Sequence, residues 1–202
     1  MLASVLRARQ MGTALTTIAA VSAATLLAGD NVIELRYGSG AGIPYATLLP
    51  ALSGSIVAAA ARTGVAEFEG VAARPLAVYR ALALGIAVAW AVLWAVIAQP
   101  SLPGSPGDLA AVRNVAGFTG LGLLAAQVVG GRLAWIAPVG VAISALSLAG
   151  GTPQRAGEAL LWPLAADHSV PAAAVALASF AAGVTLVLAR GTREPVATEA
   201  EV

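Results

Sequence analysis

The sequence predicts an all-α, polytopic membrane protein with six transmembrane helices and both termini in the cytoplasm. Of its 202 residues, 59% are hydrophobic and only 10% are charged, with a mean hydropathy of +0.86. Soluble domains carry about 25% charged residues, so a chain this apolar is expected to use the bilayer as its solvent. Several apolar runs also approach the roughly 20 residues that a spanning helix requires.

Six apolar segments are separated by glycine, proline and charged residues. The predicted spans cover residues 11–28, 43–61, 76–98, 106–129, 133–148 and 170–189. Together they form one transmembrane domain over residues 1–190, followed by a polar tail, residues 191–202, which we expect to be disordered and cytoplasmic.

The first two spans are predicted from apolar runs with few breaks. The first ends at Gly29 and is longer than the apolar core of a signal peptide, and more apolar runs follow it, so a spanning helix is predicted rather than a cleaved leader. The second has Pro44 near its start and Pro50 inside it.

The last four spans are bounded by stronger signals. The third lies between Pro75 and Pro100. The fourth starts near Ser105 and Pro106, since serine followed by proline favours a helix start. The fifth is short, and the sixth starts at Ser169.

The arginines predict the orientation, because cytoplasmic loops carry an excess of basic residues. One side receives eight of the eleven: Arg7, Arg9, Arg62, Arg74, Arg80, Arg132, Arg190 and Arg193. The other side receives Arg36, Arg113 and Arg155. The predicted location is therefore the bacterial cytoplasmic membrane, crossed several times, with both termini inside.

Composition also excludes several functional classes. There is no cysteine, so no disulfide or cysteine metal site forms, and one histidine, His168, cannot supply a paired-histidine ligand set. Without lysine there is no phosphate-binding GxxxxGK[ST] loop. His168 follows Asp167, but no serine nucleophile motif accompanies them. We therefore predict no enzyme activity, no metal, no bound cofactor and no nucleic-acid partner.

Hydroxyl side chains recur along the first span, at Thr13, Thr16, Thr17, Ser22 and Thr25. Such hydroxyls usually donate to a carbonyl one turn earlier in their own helix. A polar substrate path is the alternative.

Small residues recur at a spacing of four in the fourth span. Ala116 and Gly120 form one such pair, and Gly122 and Ala126 form another. This spacing lets helices approach closely. The contact is either within the chain or between subunits.

The predicted outer segment, residues 150–169, contains an apolar patch around Trp162 that is too short to span. It either forms a structural loop, lies in the interface, or re-enters the membrane with a break at Pro163. Arg113 lies about one and a half turns into the fourth span. It is interpreted either as a snorkelling structural arginine or as part of an outer vestibule with Trp162 and Asp167.

The loop between spans two and three, residues 62–75, contains the stretch GVAEFEGVAARP. As a short helix it would place Val65, Phe68 and Ala72 on one face, and Glu67, Gly70 and Arg74 on another. It is therefore predicted to be an amphipathic helix at the inner interface.

This loop resembles the coupling helix of ABC-2-type permeases, the six-helix membrane subunits of ABC exporters. The resemblance is carried by the order Glu67, Phe68, Glu69, Gly70, Arg74 and Pro75, with Arg80 early in the third span. That family also has an outer re-entrant segment between spans five and six.

The resemblance implies a permease that works as a dimer with a second copy or a paralogue. It also implies a separate ABC ATPase subunit that holds ATP and Mg²⁺ and contacts the coupling residues. Two other functions stay open: a substrate-capture S component of an energy-coupling-factor importer, and a non-transporting membrane scaffold.

Overall fold

The computed structural model describes residues 11–28, 32–34, 42–44, 49–61, 76–98, 107–149 and 161–191. Six α-helices account for most of these residues: α1 Met11–Ala28, α2 Leu49–Ala60, α3 Leu76–Ala98, α4 Asp108–Val128, α5 Ile136–Ala149 and α6 Val170–Arg190. Two 3-10 turns, Gly131–Leu133 and Trp162–Leu164, precede α5 and α6. The prediction of a mainly helical protein is therefore confirmed for the described residues.

Three of these helices, α3, α4 and α6, are long and apolar enough to cross a membrane. The other three are apolar but shorter. A membrane protein is therefore supported, whereas the number of six spans and the cytoplasmic position of both termini stay predictions.

A short hairpin precedes α2, where β1 (Val32–Glu34) pairs antiparallel with β2 (Gly42–Pro44). The predicted second span, residues 43–61, is therefore wrong at its start, because α2 begins at Leu49. Pro50 lies in the first turn of α2, where its missing N–H costs no helical hydrogen bond. The proline that seemed to interrupt a span instead stands at the start of the helix.

The predicted start of the fourth span, residue 106, is two residues too early, since α4 begins at Asp108. Its N-cap is Gly107, with φ of 103°, a left-handed value that favours glycine. The predicted start of α6 is confirmed: Ser169 is the N-cap, and its hydroxyl accepts a hydrogen bond from the Ala172 N–H at 3.5 Å.

Helix α4 lies at the centre of the bundle. It packs most extensively on α6 and α2, and it also contacts α3 and α5. Within its most apolar stretch 67% of residues are buried, against 33% in α3 and 22% in α6. Phe118 and Leu123 of α4 are fully buried in the core. Side chains on α4 are therefore placed to connect the other helices.

Three of the threonines of α1 bond within their own helix, as predicted. Thr17 Oγ1 donates to the Thr13 carbonyl at 2.8 Å, and Thr25 Oγ1 donates to the Val21 carbonyl at 2.8 Å. Thr16 does the same. The hydroxyls of Thr16, Thr17 and Thr25 are thus satisfied locally, whereas the Ser22 Oγ is buried without a hydrogen-bond partner among the described residues.

Candidate functional site around the amino-terminal half of α4

The site begins with a glycine contact between α4 and α6. A Cβ built on Gly120 would overlap the backbone of Ser179 and Phe180. On the facing helix, a Cβ on Gly183 would lie 2.7 Å from the Gly120 carbonyl oxygen. The two backbones touch directly here, and only glycine allows that approach.

A second close contact joins α4 to α2. A Cβ on Gly54 of α2 would lie 2.7 Å from the Thr119 nitrogen and 2.8 Å from the Phe118 carbonyl carbon. One turn along, a Cβ on Gly122 would lie 2.5 Å from the Ala58 side chain. Helix α4 is therefore held tightly between α2 and α6.

Of the four residues predicted to pack between helices, three lie in buried contacts and one lies at the protein surface. Gly120 and Gly122 form the contacts with α6 and α2, and Ala126 is fully buried. Ala116 is only partly buried and lines a surface groove between α4 and α6. Three of the four thus pack within this chain.

Residues 161–169, called here the 161–169 segment, fold inward against α4. Trp162 is only 4% exposed, and its ring lies 5.0 Å from that of Phe118. A Cβ on Gly117 would overlap the Trp162 ring, so the glycine leaves room for it. The segment buries its tryptophan in the helix bundle instead of presenting it outward.

Two side chains of α4 bind the main chain of this segment. The Arg113 guanidinium donates to the Ala165 and Ala166 carbonyls, both at 2.9 Å, and its Nε donates to the Asn114 Oδ1 at 3.1 Å. The Asn114 amide donates to the Pro163 carbonyl at 2.6 Å. Arg113 is 8% exposed, so these bonds form a buried clamp rather than a snorkelling contact.

Asp167 provides the third connection. Its Oδ1 accepts a hydrogen bond from the Ala110 N–H at 2.5 Å, in the first turn of α4. Since Gly107 has no side chain to cap α4, the carboxylate of a distant residue satisfies that N–H and interacts favourably with the helix dipole. Asp167 also lies close enough to Arg113 for its carboxylate to attract the guanidinium group electrostatically.

The structure therefore brings Arg113, Trp162 and Asp167, the predicted vestibule residues, into one cluster. Their polar groups mainly bind main-chain atoms, which makes the cluster a rigid junction between α4 and the 161–169 segment. His168 is exposed at its edge. Among the described residues no group of histidine, aspartate and glutamate side chains could hold a metal ion.

Sequence reasoning missed three contacts of this junction: the bond from Asn114 to Pro163, the capping of α4 by Asp167, and the Phe118–Trp162 ring contact. One local signal existed, because a helix that starts after glycine lacks a capping side chain. That signal shows that a partner is needed, but not where it lies in the chain.

The predicted ATPase-coupling residues lie outside the described part of the chain: Glu67, Phe68, Glu69, Gly70, Arg74 and Pro75. Helix α2, which leads into them, and α3, which follows them, are both described.

Comparison with known proteins identified no relative of this chain: no family model, no curated protein and no solved structure matched it.

Proposed function

We propose that this chain is the membrane permease subunit of an ATP-driven exporter. It would form the translocation pathway as a dimer, with ATP and Mg²⁺ bound by a separate ATPase subunit. Residues 62–75 would receive the movement of the ATPase. The chain itself would catalyse no reaction.

The observation that supports this proposal is a continuous series of tight contacts from α2 to the 161–169 segment. Helix α2 ends at Ala60, next to the proposed coupling loop, and its Gly54 lies against the α4 backbone. Helix α4 in turn binds the 161–169 segment through Arg113 and Asn114. A displacement of α2 would therefore be transmitted to the opposite end of the bundle, since closely packed helices move as units.

The position of the 161–169 segment gives further support. ABC-2-type permeases have a re-entrant segment before the sixth span, and here the residues before α6 bury Trp162 against α4. Such an element is compatible with a pathway through the membrane, because irregular backbone at membrane depth must be enclosed by protein, and this segment is held against α4.

A crosslinking experiment tests the ATPase partner. A photo-crosslinking amino acid at position 68 should label a nucleotide-binding chain in the gently purified complex. The control position is Val170, which is 77% exposed at the other end of the bundle and should not label that chain.

Other results would replace the proposal. An active complex without crosslinks from position 68 to an ATPase would contradict coupling. A monomer that holds a ligand and joins a separate scaffold protein would indicate an importer S component. A complex containing no ATPase would indicate a membrane scaffold.

The double variant Glu67→Ala with Glu69→Ala tests the loop's function. We expect normal insertion, continued ATP hydrolysis and loss of most transport, because charged contacts to the ATPase would be removed. The matched control is Glu199→Ala with Glu201→Ala, which removes two carboxylates at the same spacing from the tail. Equal transport by both double variants would rule out the proposed coupling.

A further inference from the structure

An open groove of about 370 Å³ runs between the first halves of α4 and α6. Its walls are mostly apolar and include Leu109, Val112, Ala173 and Leu177. Polar groups line one end only: Arg113, Asp167, His168 and Ser169. A groove of this size with apolar walls and a few polar groups has the composition of a ligand-binding site.

The groove opens onto surfaces suited to lipid. Leu109 is 56% exposed at its rim on α4, while Val170 and Leu177 are 77% and 62% exposed on α6. Both helices are long and apolar enough to cross a membrane. A groove between two such helices opens to the hydrocarbon of the bilayer, so an acyl chain is the occupant that its surroundings supply.

The polar end favours a phosphate group. Arg113 has five N–H groups, and three of them bind the Ala165 and Ala166 carbonyls and the Asn114 side chain. The Asp167 carboxylate is already engaged by the Ala110 N–H.

The start of α6 lies at the same end of the groove, but its N–H groups are largely engaged. Pro171 has no N–H, and the Ala172 and Ala173 N–H groups already bind the Ser169 hydroxyl and carbonyl. The helix amino terminus still carries a partial positive charge, and the exposed His168 lies just before it. The donors that face the groove are therefore the two remaining Arg113 N–H groups and the His168 ring, which suit a phosphate oxygen as acceptor.

We propose that this groove binds a phospholipid, with one acyl chain between α4 and α6 and the phosphate group beside Arg113 and His168. In the orientation that the arginine distribution predicts, this end lies in the outer leaflet. The site is independent of the proposed function, since a lipid can bind here whether or not the chain transports anything. It would hold α4 and α6 together on the side that faces away from the bundle.

The test uses the full chain in nanodiscs that contain phosphatidylglycerol with a photoactivatable diazirine in one acyl chain. Labelled residues are located by mass spectrometry of the digested protein. We expect labelling concentrated on the groove, at Val112, Ala116, Ala173 and Leu177.

A matched pair of variants tests occupancy of the groove. Ala173→Phe should fill it and reduce labelling at the other groove residues by about tenfold, the effect of losing roughly two buried methylene contacts. Ala174→Phe places the same ring on the exposed neighbouring position and should leave labelling unchanged. Leu177→Ala, at an exposed position, should give a smaller reduction without disturbing folding.

The phosphate is tested with a diacylglycerol probe carrying the same diazirine chain. We expect it to label the groove several-fold less than phosphatidylglycerol, and His168→Ala should reduce that preference. Equal labelling by both probes would overturn the phosphate contact. Labelling spread evenly over lipid-facing residues would overturn the lipid site, and so would labelling of the groove residues that is no stronger than that of Ala174 on the exposed face of α6.

Discussion

In a soluble protein the more apolar of two helices is usually the more buried one, but α4 and α3 show the opposite relation between hydropathy and burial. Helix α4 has the lower mean hydropathy, 1.4, yet 67% of its apolar stretch is buried in protein. Helix α3 has a mean hydropathy of 2.4, and only 33% is buried. The more apolar helix is the one with more surface turned away from the protein.

The bilayer explains this difference. Lipid tails are as apolar as leucine, so an apolar helix face gains little by leaving them for protein, whereas polar side chains must be enclosed. Arg113, Asn114 and Thr119 of α4 are all buried. The two helices are also attached differently: α4 by backbone contact at glycines, α3 partly by one bond from the Trp90 indole to the Leu15 carbonyl at 2.9 Å.

The largest expected effect is at the α4–α6 contact. Gly120→Ala should lower the free energy of unfolding by about 3 kcal/mol, because the new methyl group meets α6 backbone that cannot rotate away. Unfolding in mixed micelles with increasing sodium dodecyl sulfate measures this. A stability equal to wild type would show that the two helices are not in direct backbone contact.

The clamp on the 161–169 segment comes next. Arg113→Ala should cost about 2 kcal/mol, because it leaves the Ala165 and Ala166 carbonyls without a charged donor. Hydrogen exchange in the 161–169 segment should rise at the same time. Arg132→Ala, which removes an exposed arginine, is the control and should leave both quantities unchanged. Unchanged exchange in Arg113→Ala would contradict the clamp.

On α3 the effects should be smaller, and its two tryptophans should differ. Trp90→Phe loses the bond to the Leu15 carbonyl and should cost about 1 kcal/mol. Trp94 has a buried Nε1 without a hydrogen-bond partner among the described residues, so Trp94→Phe should change stability by less than about 0.5 kcal/mol. The same detergent titration compares the two variants. Equal losses would mean that ring packing, not the hydrogen bond, attaches α3 to α1.

The smallest effect has the opposite sign. Gly85 lies on the exposed face of α3, and a Cβ there would meet nothing within 4 Å. Gly85→Ala should raise the free energy of unfolding by about 0.5 kcal/mol, because alanine loses less backbone entropy in a helix. A loss similar to that of Gly120→Ala would place α3 in a tight contact with another chain.

How much the sequence could predict depended on how local each signal was. The bounds of α1 and α3 and the start of α6 were predictable, because apolar runs, prolines and the Ser169 cap act within a few residues. The start of α2 was predicted wrongly, because residues 43–61 are apolar almost throughout, and an apolar run does not distinguish strand from helix.

The sequence could predict which residues belong to the candidate site, but not how they are arranged. Arg113 attracted notice as a charge within a span, and Trp162 and Asp167 as parts of an apolar segment with charged neighbours. Their arrangement was not predictable, because Arg113 and the carbonyl of Ala166 are 53 residues apart, and Ala110 and Asp167 are 57 apart. Nothing in the spacing of such groups says which will meet.

The sequence by itself thus determined that this protein is helical and suited to a membrane, since hydropathy and helix boundaries depend on composition and short-range sterics. Only the tertiary structure decided that α4 is the central helix, that Asp167 caps it and that Arg113 binds the 161–169 segment. The physical reason is that glycine contacts and buried polar groups need specific partners, and folding chooses those partners among distant residues.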